Sequence, residues 1–329
     1  MSFSERFVSM EDVGTGAMAK VSKATDVSLG RQVAIKQPLN EEDAERFWAE
    51  AQATGRLEHA NIPPLYEAGR DEQGHPYLAL KLVKGQTLGA LIARLNEGEA
   101  ELHERFRFLN RLAVFEKVCE AVDYAHQQAV FHRDIKPDNI MVGEFGEVFL
   151  LDWGLSKMDG APGSDLGGFS GTPAYCAPEI IRGAESSVLS EIYSLGSTLY
   201  EWMTLRPAYA GTDLVKVLNA VLKDRPVEAF RLSHKHQDNV PIELSRVIMK
   251  AMSHRAEDRY QSVAELRGAV RDILDGEIRP VCPCTTVKYG FHEIVRQIDN
   301  YPILSALVLF WMVYPLLHWV YLGWRAFHP

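Results

Sequence analysis

The residues best equipped for chemistry lie together in His132-Arg133-Asp134-Ile135-Lys136-Pro137-Asp138-Asn139. These eight residues hold a carboxylate able to act as a general base, cations able to face an anion, and an amide able to ligate a metal. Asp152-Trp153-Gly154 begins eighteen residues after Asp134, at the end of the apolar run Val148 to Leu151, and Ala177-Pro178-Glu179 lies further on. Upstream, Gly14-Thr15-Gly16-Ala17-Met18-Ala19-Lys20-Val21 is rich in glycine. Glycine lets backbone N–H groups approach a phosphate with no Cβ in the way. The strand-like run Val33-Ala34-Ile35-Lys36 ends in a lysine.

These groups sit on elements that change character along the chain. Residues 5 to 37 read as strands with turns, and a helix follows from about Glu41 to Arg56, capped by Asn40 and carrying Phe47 and Trp48 on its apolar side. Tyr66 to Val83 reads as two strands around a turn at Gly69 to Gly74. After Gly85 the pattern is helical: Thr87 to Leu95, then Phe106 to Gln128 with Leu109, Leu112, Phe115, Val118, Val122 and Ala125 at helical spacing. The polar stretch Asn96 to Glu104 reads as a surface insertion. Ser190 to Thr204, Asp213 to Lys223, Ile242 to Ser253 and Val263 to Leu274 are further helices. A strand-rich first quarter before a helical remainder predicts a two-lobed α+β architecture.

Composition narrows the function classes. The chain has 329 residues, 47% of them hydrophobic, enough for one large domain or two lobes. Net charge is −9 and no long basic run occurs, which argues against a nucleic-acid partner. Four cysteines make no disulfide framework and fit a reducing compartment, and the N-terminus has no signal-peptide core.

The order and spacing of these motifs resemble the eukaryotic-like, or Hanks-type, serine/threonine protein kinases, over about residues 5 to 275. The resemblance implies a two-lobed kinase fold, with a β-rich N-lobe at about 5–83 and a helical C-lobe at about 84–277. It implies ATP with Mg²⁺, or Mn²⁺ as an alternative ion, and protein substrates. Asp134 would be the catalytic base and Lys136 the lysine near the γ-phosphate. Asn139 and Asp152 would hold the metal. Val13, Gly14, Thr15, Gly16, Ala17 and Val21 would cover the nucleotide. Ala34, Leu80, Lys81, Val83 and Met141 would line its cleft, with Leu80 at the gating position. Lys36 would reach the α- and β-phosphates, held by Glu50, with Glu45 its nearest rival. Thr172 would stand beside the catalytic aspartate, and Glu179 would pair with Arg259. Arg133 would receive an anion from the activation segment, which points to Ser164 or Ser170 as autophosphorylation sites. A homodimer phosphorylating in trans follows from that expectation.

Three positions depart from the family pattern. Trp153 replaces a phenylalanine, Ala19 a glycine, and Glu191 an aspartate that bonds the catalytic-loop backbone. Thr54, one helical turn after Glu50, would make room for the larger indole. None of the three removes a group expected to touch phosphate or metal. They leave open an alternative, a membrane-anchored nucleotide-binding pseudokinase or interaction scaffold. His132 reads as a packed structural residue, and His234 and His236 as solvated.

The C-terminus reads differently. Ile303 to Trp324 is a run of 22 residues without Asp, Glu, Lys or Arg. As a helix it would span roughly 33 Å, the thickness of a bilayer core. Trp311, Trp319, Tyr321 and Trp324, with Arg325 following, suit an interfacial belt. The expectation is one transmembrane helix at 303–324 behind an amphipathic linker at 278–302. The kinase domain would then be cytoplasmic, where ATP is, as a single-pass membrane protein. With five residues after Trp324, no external sensor domain would be expected. Cys282-Pro283-Cys284 reads as functionless, with acylation near the bilayer as its rival.

Overall fold

In the N-terminal strands, side chains alternate between two covered faces, and the chain folds into an antiparallel sheet. The computed structural model describes residues 1–15, 19–40, 44–153, 157–158 and 172–276, together with Tyr314. A short helix α1 (Phe3–Arg6), closed by a capping box between Ser2 and Glu5, leads into the sheet. Its strands are β1 (Phe7–Thr15), β2 (Ala19–Asp26), β3 (Arg31–Pro38), β4 (Leu65–Arg70) and β5 (Pro76–Lys81), in the order β1-β2-β3-β5-β4.

Register decides which side chains share a face. Gly14 lies opposite Val21, Val21 opposite Lys36, and Lys36 opposite Leu78, while Ala34 lies opposite Leu80. With a period of two, Ala34 and Lys36 therefore share the face of Leu78 and Leu80. Helix α2 (Ala44–Gly55) packs Phe47 and Ala51 against Leu78 on that face. The other face buries Phe7, Ala24, Val33, Ile35, Tyr77 and Ala79.

The helical part begins after β6 (Gly85–Thr87) with α3 (Leu88–Glu97), where Thr87 accepts the Ala90 N–H as N-cap. Then come α4 (Ala100–Arg105), α5 (Phe108–Gln127) and the short strand β7 (Val130–Phe131). Strand β8 (Ile140–Gly143) pairs with both β6 and β9 (Val148–Leu150), and β10 (Lys157–Met158) pairs with β7. Helices α6 (Pro178–Ile181), α7 (Val188–Thr204), α8 (Leu214–Lys223), α9 (Ile242–Ala251) and α10 (Val263–Leu274) complete it. Helix α7 is buried along nearly its whole length and forms the centre of the large core, with α5, α9 and α10 around it.

This is the two-lobed α+β architecture expected, with differences in detail. The stretch Asn96 to Glu104 is not a plain surface insertion: α3 runs through Glu97, and α4 buries Leu102. Leu109 sits at helical spacing with the core residues of α5 yet is 54% exposed, because it lies in the first turn, ahead of the packed face. His234 is half-buried, with Nε2 3.1 Å from Asn96 Oδ1, while His236 is exposed.

The chain divides into two units, Met1–Leu274 and Asp275–Pro329. In the second only Asp275, Gly276 and Tyr314 are described. The linker expected at 278–302 lies outside the described residues, as does the spanning helix expected at 303–324, Tyr314 apart. Among the described residues no helix is long and apolar enough to cross a membrane. Gly16, Ala17, Ser164 and Ser170 also lie outside them.

Candidate active site

The loop between β7 and β8 is shaped from behind by buried polar groups. His132 is fully buried. Its Nε2 donates to the Leu151 carbonyl at 2.8 Å, and its Nδ1 accepts the Asp134 N–H at 3.3 Å. Its ring packs 4.6 Å from that of Trp153. Arg133 takes a left-handed φ of 69°, unfavourable for a residue with a Cβ. Glu191 of α7 holds that turn: Oε1 accepts the Arg133 N–H at 2.6 Å, and Oε2 accepts from His126 Nε2 at 2.6 Å. The glutamate standing where an aspartate was expected thus reaches the backbone of the β7–β8 loop and a helix histidine together.

Asp134 emerges from this turn among four donor groups. Oδ2 accepts from Lys136 Nζ at 2.6 Å and from Asn139 Nδ2 at 3.1 Å. Oδ1 accepts from the Thr172 N–H at 3.1 Å and its hydroxyl at 2.9 Å. Lys136 Nζ also donates to Thr172 Oγ1 at 2.8 Å, closing a ring of Asp134, Lys136 and Thr172. Asp134 and Lys136 are half-buried. The carboxylate is held in place while still reachable from solvent.

A second ionic group spans the lobes. Lys36 Nζ lies 2.5 Å from Glu50 Oε1 and 2.7 Å from Asp152 Oδ1. Burial alone would lower the ammonium's pKa, but the carboxylates of Glu50 and Asp152 outweigh it and the net direction is up. Burial would raise the Asp152 carboxyl, and Lys36 beside it brings it below its ordinary range. Burial pushes the Glu50 carboxyl up against the pull of Lys36. Two carboxylates share one cation here, and the buried one gives up charge more readily.

The donor set facing this space suits a hard cation. Asn139 uses Nδ2 to donate to Asp134, at 2.8 Å to the carbonyl as well as to Oδ2, which leaves its Oδ1 available. Asp152, with a left-handed φ of 60° and a side chain 52% exposed, engages Lys36 through Oδ1, and its Oδ2 takes no donor among the described residues. An amide and a carboxylate oxygen, with phosphate oxygens and waters to complete the shell, are what Mg²⁺ takes.

The expected nucleotide-contacting residues gather along one side of the sheet and at the segment joining the lobes. Val21, Ala34, Leu80, Lys81, Val83 and Met141 are all half-buried, while Val13 is 60% exposed and Gly14 is exposed. Thr15 pairs in register with Lys20. Beside the joining segment, Lys81, Leu82, Val83 and Phe149 contribute to a cavity of about 150 Å³. Lys81 Nζ rests 4.5 Å from the Phe149 ring centroid.

Supporting contacts were only partly legible in the residue pattern. Trp153 is buried, and its indole N–H donates to the Leu150 carbonyl at 3.2 Å; Thr54 is buried too. Arg259 grips Glu179 with two bonds, at 2.6 and 2.8 Å, and also donates to the carbonyls of Ser253, Leu189 and His254. The pairing of Glu191 with His126 and the 2.5 Å bond from Tyr175 to Glu201 had no signal in the sequence, since His126, Tyr175 and Glu201 are unremarkable helical or loop residues and Glu191 stood out only for its bond to the loop backbone.

Comparison with known proteins agrees with this geometry. Residues 7–268 match the model of the family described as protein kinase domain. The serine/threonine-protein kinase PknD of Chlamydia trachomatis serovar D is 31% identical over 343 residues, covering 93% of this chain and 36% of its own length. The protein of that name from Protochlamydia amoebophila is 33% identical over 303 residues, covering 83% of this chain and 30% of its own. That of Chlamydia abortus is 30% identical over 332 residues, covering 91% and 35%. The chain therefore spans about a third of the length of these relatives. The motif order, the two-lobed fold and the family match across 7–268 together establish that the chain belongs to the protein kinase family.

Proposed function

We propose that this chain is an ATP-dependent serine/threonine protein kinase, transferring the γ-phosphoryl group to Ser and Thr hydroxyls of protein substrates. The observation that carries this reading is the Asp134 carboxylate, fixed by Lys136, Asn139 and Thr172 at the inter-lobe face where Lys36 meets Asp152. Phosphoryl transfer asks little covalent work of a protein and much positioning and charge stabilisation. ATP supplies the electrophilic phosphorus and the leaving group, and a Mg²⁺ ion held by Asn139 and Asp152 would screen its phosphate charge. Asp134 orients the substrate hydroxyl and accepts its proton. Lys136, released from its bond to Asp134, neutralises charge on the transferring group. Lys36, held by Glu50, orients the inner phosphates, while Asn139 and Asp152 present oxygens to the metal. The Lys136–Thr172 pair favours aliphatic hydroxyls, in line with the names of the relatives.

The membrane assignment is part of this proposal. The uncharged, aromatic-flanked run Ile303 to Trp324 supports a single-pass anchor with the kinase domain in the cytoplasm. Anchoring in two dimensions raises local concentration and favours trans-phosphorylation of Ser164 or Ser170 in a homodimer, with Arg133 receiving the phosphate.

Radiolabelled transfer from ATP to a generic protein substrate by the full-length chain tests the activity. Asp152→Asn and Lys36→Met should each abolish it, with ATP affinity falling less for the lysine change. Equal transfer by wild type and Asp152→Asn would refute catalysis and leave a nucleotide-binding scaffold. Retention of the full-length protein in the membrane fraction at alkaline carbonate pH is expected, and release would refute a spanning segment. Mass spectrometry of active enzyme beside a Ser164→Ala/Ser170→Ala variant tests the loop sites. An unphosphorylated loop with full activity in the variant would rule them out.

A further inference from the structure

Far from the phosphoryl-transfer site in sequence, the start of α5 meets the loop after α8 around a cavity of about 390 Å³. That volume lies in the range of small-ligand pockets. Its lining holds two guanidinium groups, Arg107 and Arg111, two imidazoles, His103 and His236, and one carboxylate, Asp238.

Arg111 is the unusual member. It is 2% exposed, yet no carboxylate lies within ion-pair distance of it among the described residues. Nε donates to the Phe106 carbonyl at 2.7 Å, and Nη1 donates to the Trp202 carbonyl at 3.1 Å and Gln237 Oε1 at 2.8 Å. Nη2 takes no acceptor among the described residues, yet it is not among the side-chain atoms sealed from solvent without a partner. Arg111 lines the cavity. Buried charges are ordinarily paired, because desolvating them is costly. The aromatic faces of Phe108 and Trp202, 5.8 and 5.2 Å away, offset only part of that cost.

The backbone adds a second feature pointing the same way. Helix α5 is 20 residues long and starts at this cavity with Arg107 as N-cap, without a capping side chain and without an acidic residue in its first turn. Free N–H groups and the positive end of the dipole attract an anion.

We infer that this cavity is a second, non-catalytic site that binds the phosphoryl group of a phosphate monoester. Arg111 would donate from the floor through Nη2, Arg107 and His236 from the rim, and the first-turn N–H groups of α5 from the side. The apolar remainder of the ligand would rest against Phe108. No group of this cavity belongs to the inter-lobe site.

The test is calorimetric titration of the full-length Lys36→Met chain, which lacks the inter-lobe lysine assigned to the inner phosphates. Inorganic phosphate should bind saturably at one site. Arg107→Ser/His236→Gln, confined to exposed rim positions, should weaken it at least tenfold without changing the melting temperature. Arg111→Gln should abolish it. A phosphoserine hexapeptide binding more tightly than phosphate would assign the source to a phosphorylated segment, and equal binding to a small phosphate ester. Absence of saturable phosphate binding would overturn the inference, as would equal binding by the rim variant. Arg111 would then serve only to tie α5 to the end of α7.

Discussion

Replacing Glu191 by the aspartate usual in the family should damage this protein. Glu191 is 2% exposed and spans two donors, the Arg133 N–H and His126 Nε2, each at 2.6 Å. Aspartate is shorter by one carbon–carbon bond, about 1.5 Å. One of the two contacts would then open beyond hydrogen-bonding distance unless α7 moved toward the loop. It is poorly free to do so. Ser190, Ile192 and Tyr193 on either side are buried, and a Cβ on Gly196 would already meet Ala251 Cβ at 2.8 Å. Losing one hydrogen bond to a charged acceptor costs about 1.5–3 kcal/mol. In a domain of this size that is a fall of about 3–6 °C in melting temperature, at roughly 2 °C per kcal/mol. If the Arg133 contact is the one lost, the left-handed turn at φ 69° relaxes and Asp134, the next residue, shifts. Transfer should then fall at least tenfold, whereas loss of the His126 contact alone should lower the melting temperature and spare transfer. Differential scanning fluorimetry and a phosphate-transfer assay on Glu191→Asp, with the equal-length Glu191→Gln beside it, separate these outcomes. A Glu191→Asp protein within 1 °C of wild type and fully active would refute the argument that side-chain length matters here.

Arg259→Ala should cost about 3–5 kcal/mol in urea denaturation, because it strands the Glu179 carboxylate and three carbonyls. Gly268→Ala should raise the melting temperature, by about 1 kcal/mol of stability, since a Cβ there meets nothing within 4 Å and the position is helical. Gly85→Ala should lower it, since the added carbon would fall 2.1 Å from the Val142 carbonyl oxygen in the β6–β8 pairing. Burial, with the hydrogen bond to Glu67, pushes the Tyr77 phenol from its ordinary value near 10 up to about 12. The fold therefore holds the neutral phenol. That contribution is complete below pH 10 and is lost as pH rises through about 12, so Tyr77→Phe should show a shallower loss of stability across that window. Identical slopes for the two proteins would contradict it.

The grouping of the candidate site residues was legible because it depends on residue types at short, fixed separations. Asp134, Lys136 and Asn139 lie within one loop, and Asp152 follows an apolar strand, so local order alone points to their grouping. Lys36 and Glu50 were legible through the strand and helix that carry them. Register then explains why Val21, Ala34, Lys36 and Leu80 share one face. The alternating pattern set the faces, while the pairing of β3 with β2 and β5 decided which residues lie opposite.

Contacts that close through space between distant, ordinary residues were not legible. Thr172 was expected beside the aspartate, but its simultaneous bond to Lys136 depends on the loop's path. Nothing in a single sequence says that Glu191 also takes His126, or that Arg111 buries its charge without a carboxylate. The same holds for Asn96 to Glu104, whose polar composition conceals the helical turn that buries Leu102. Composition, periodicity and motif spacing determine which elements form and which groups can do chemistry, since these follow from local backbone and side-chain properties. Which buried charge finds a carboxylate, and which finds only neutral acceptors, is decided only when the elements pack, because burial sets the cost of every unpaired group.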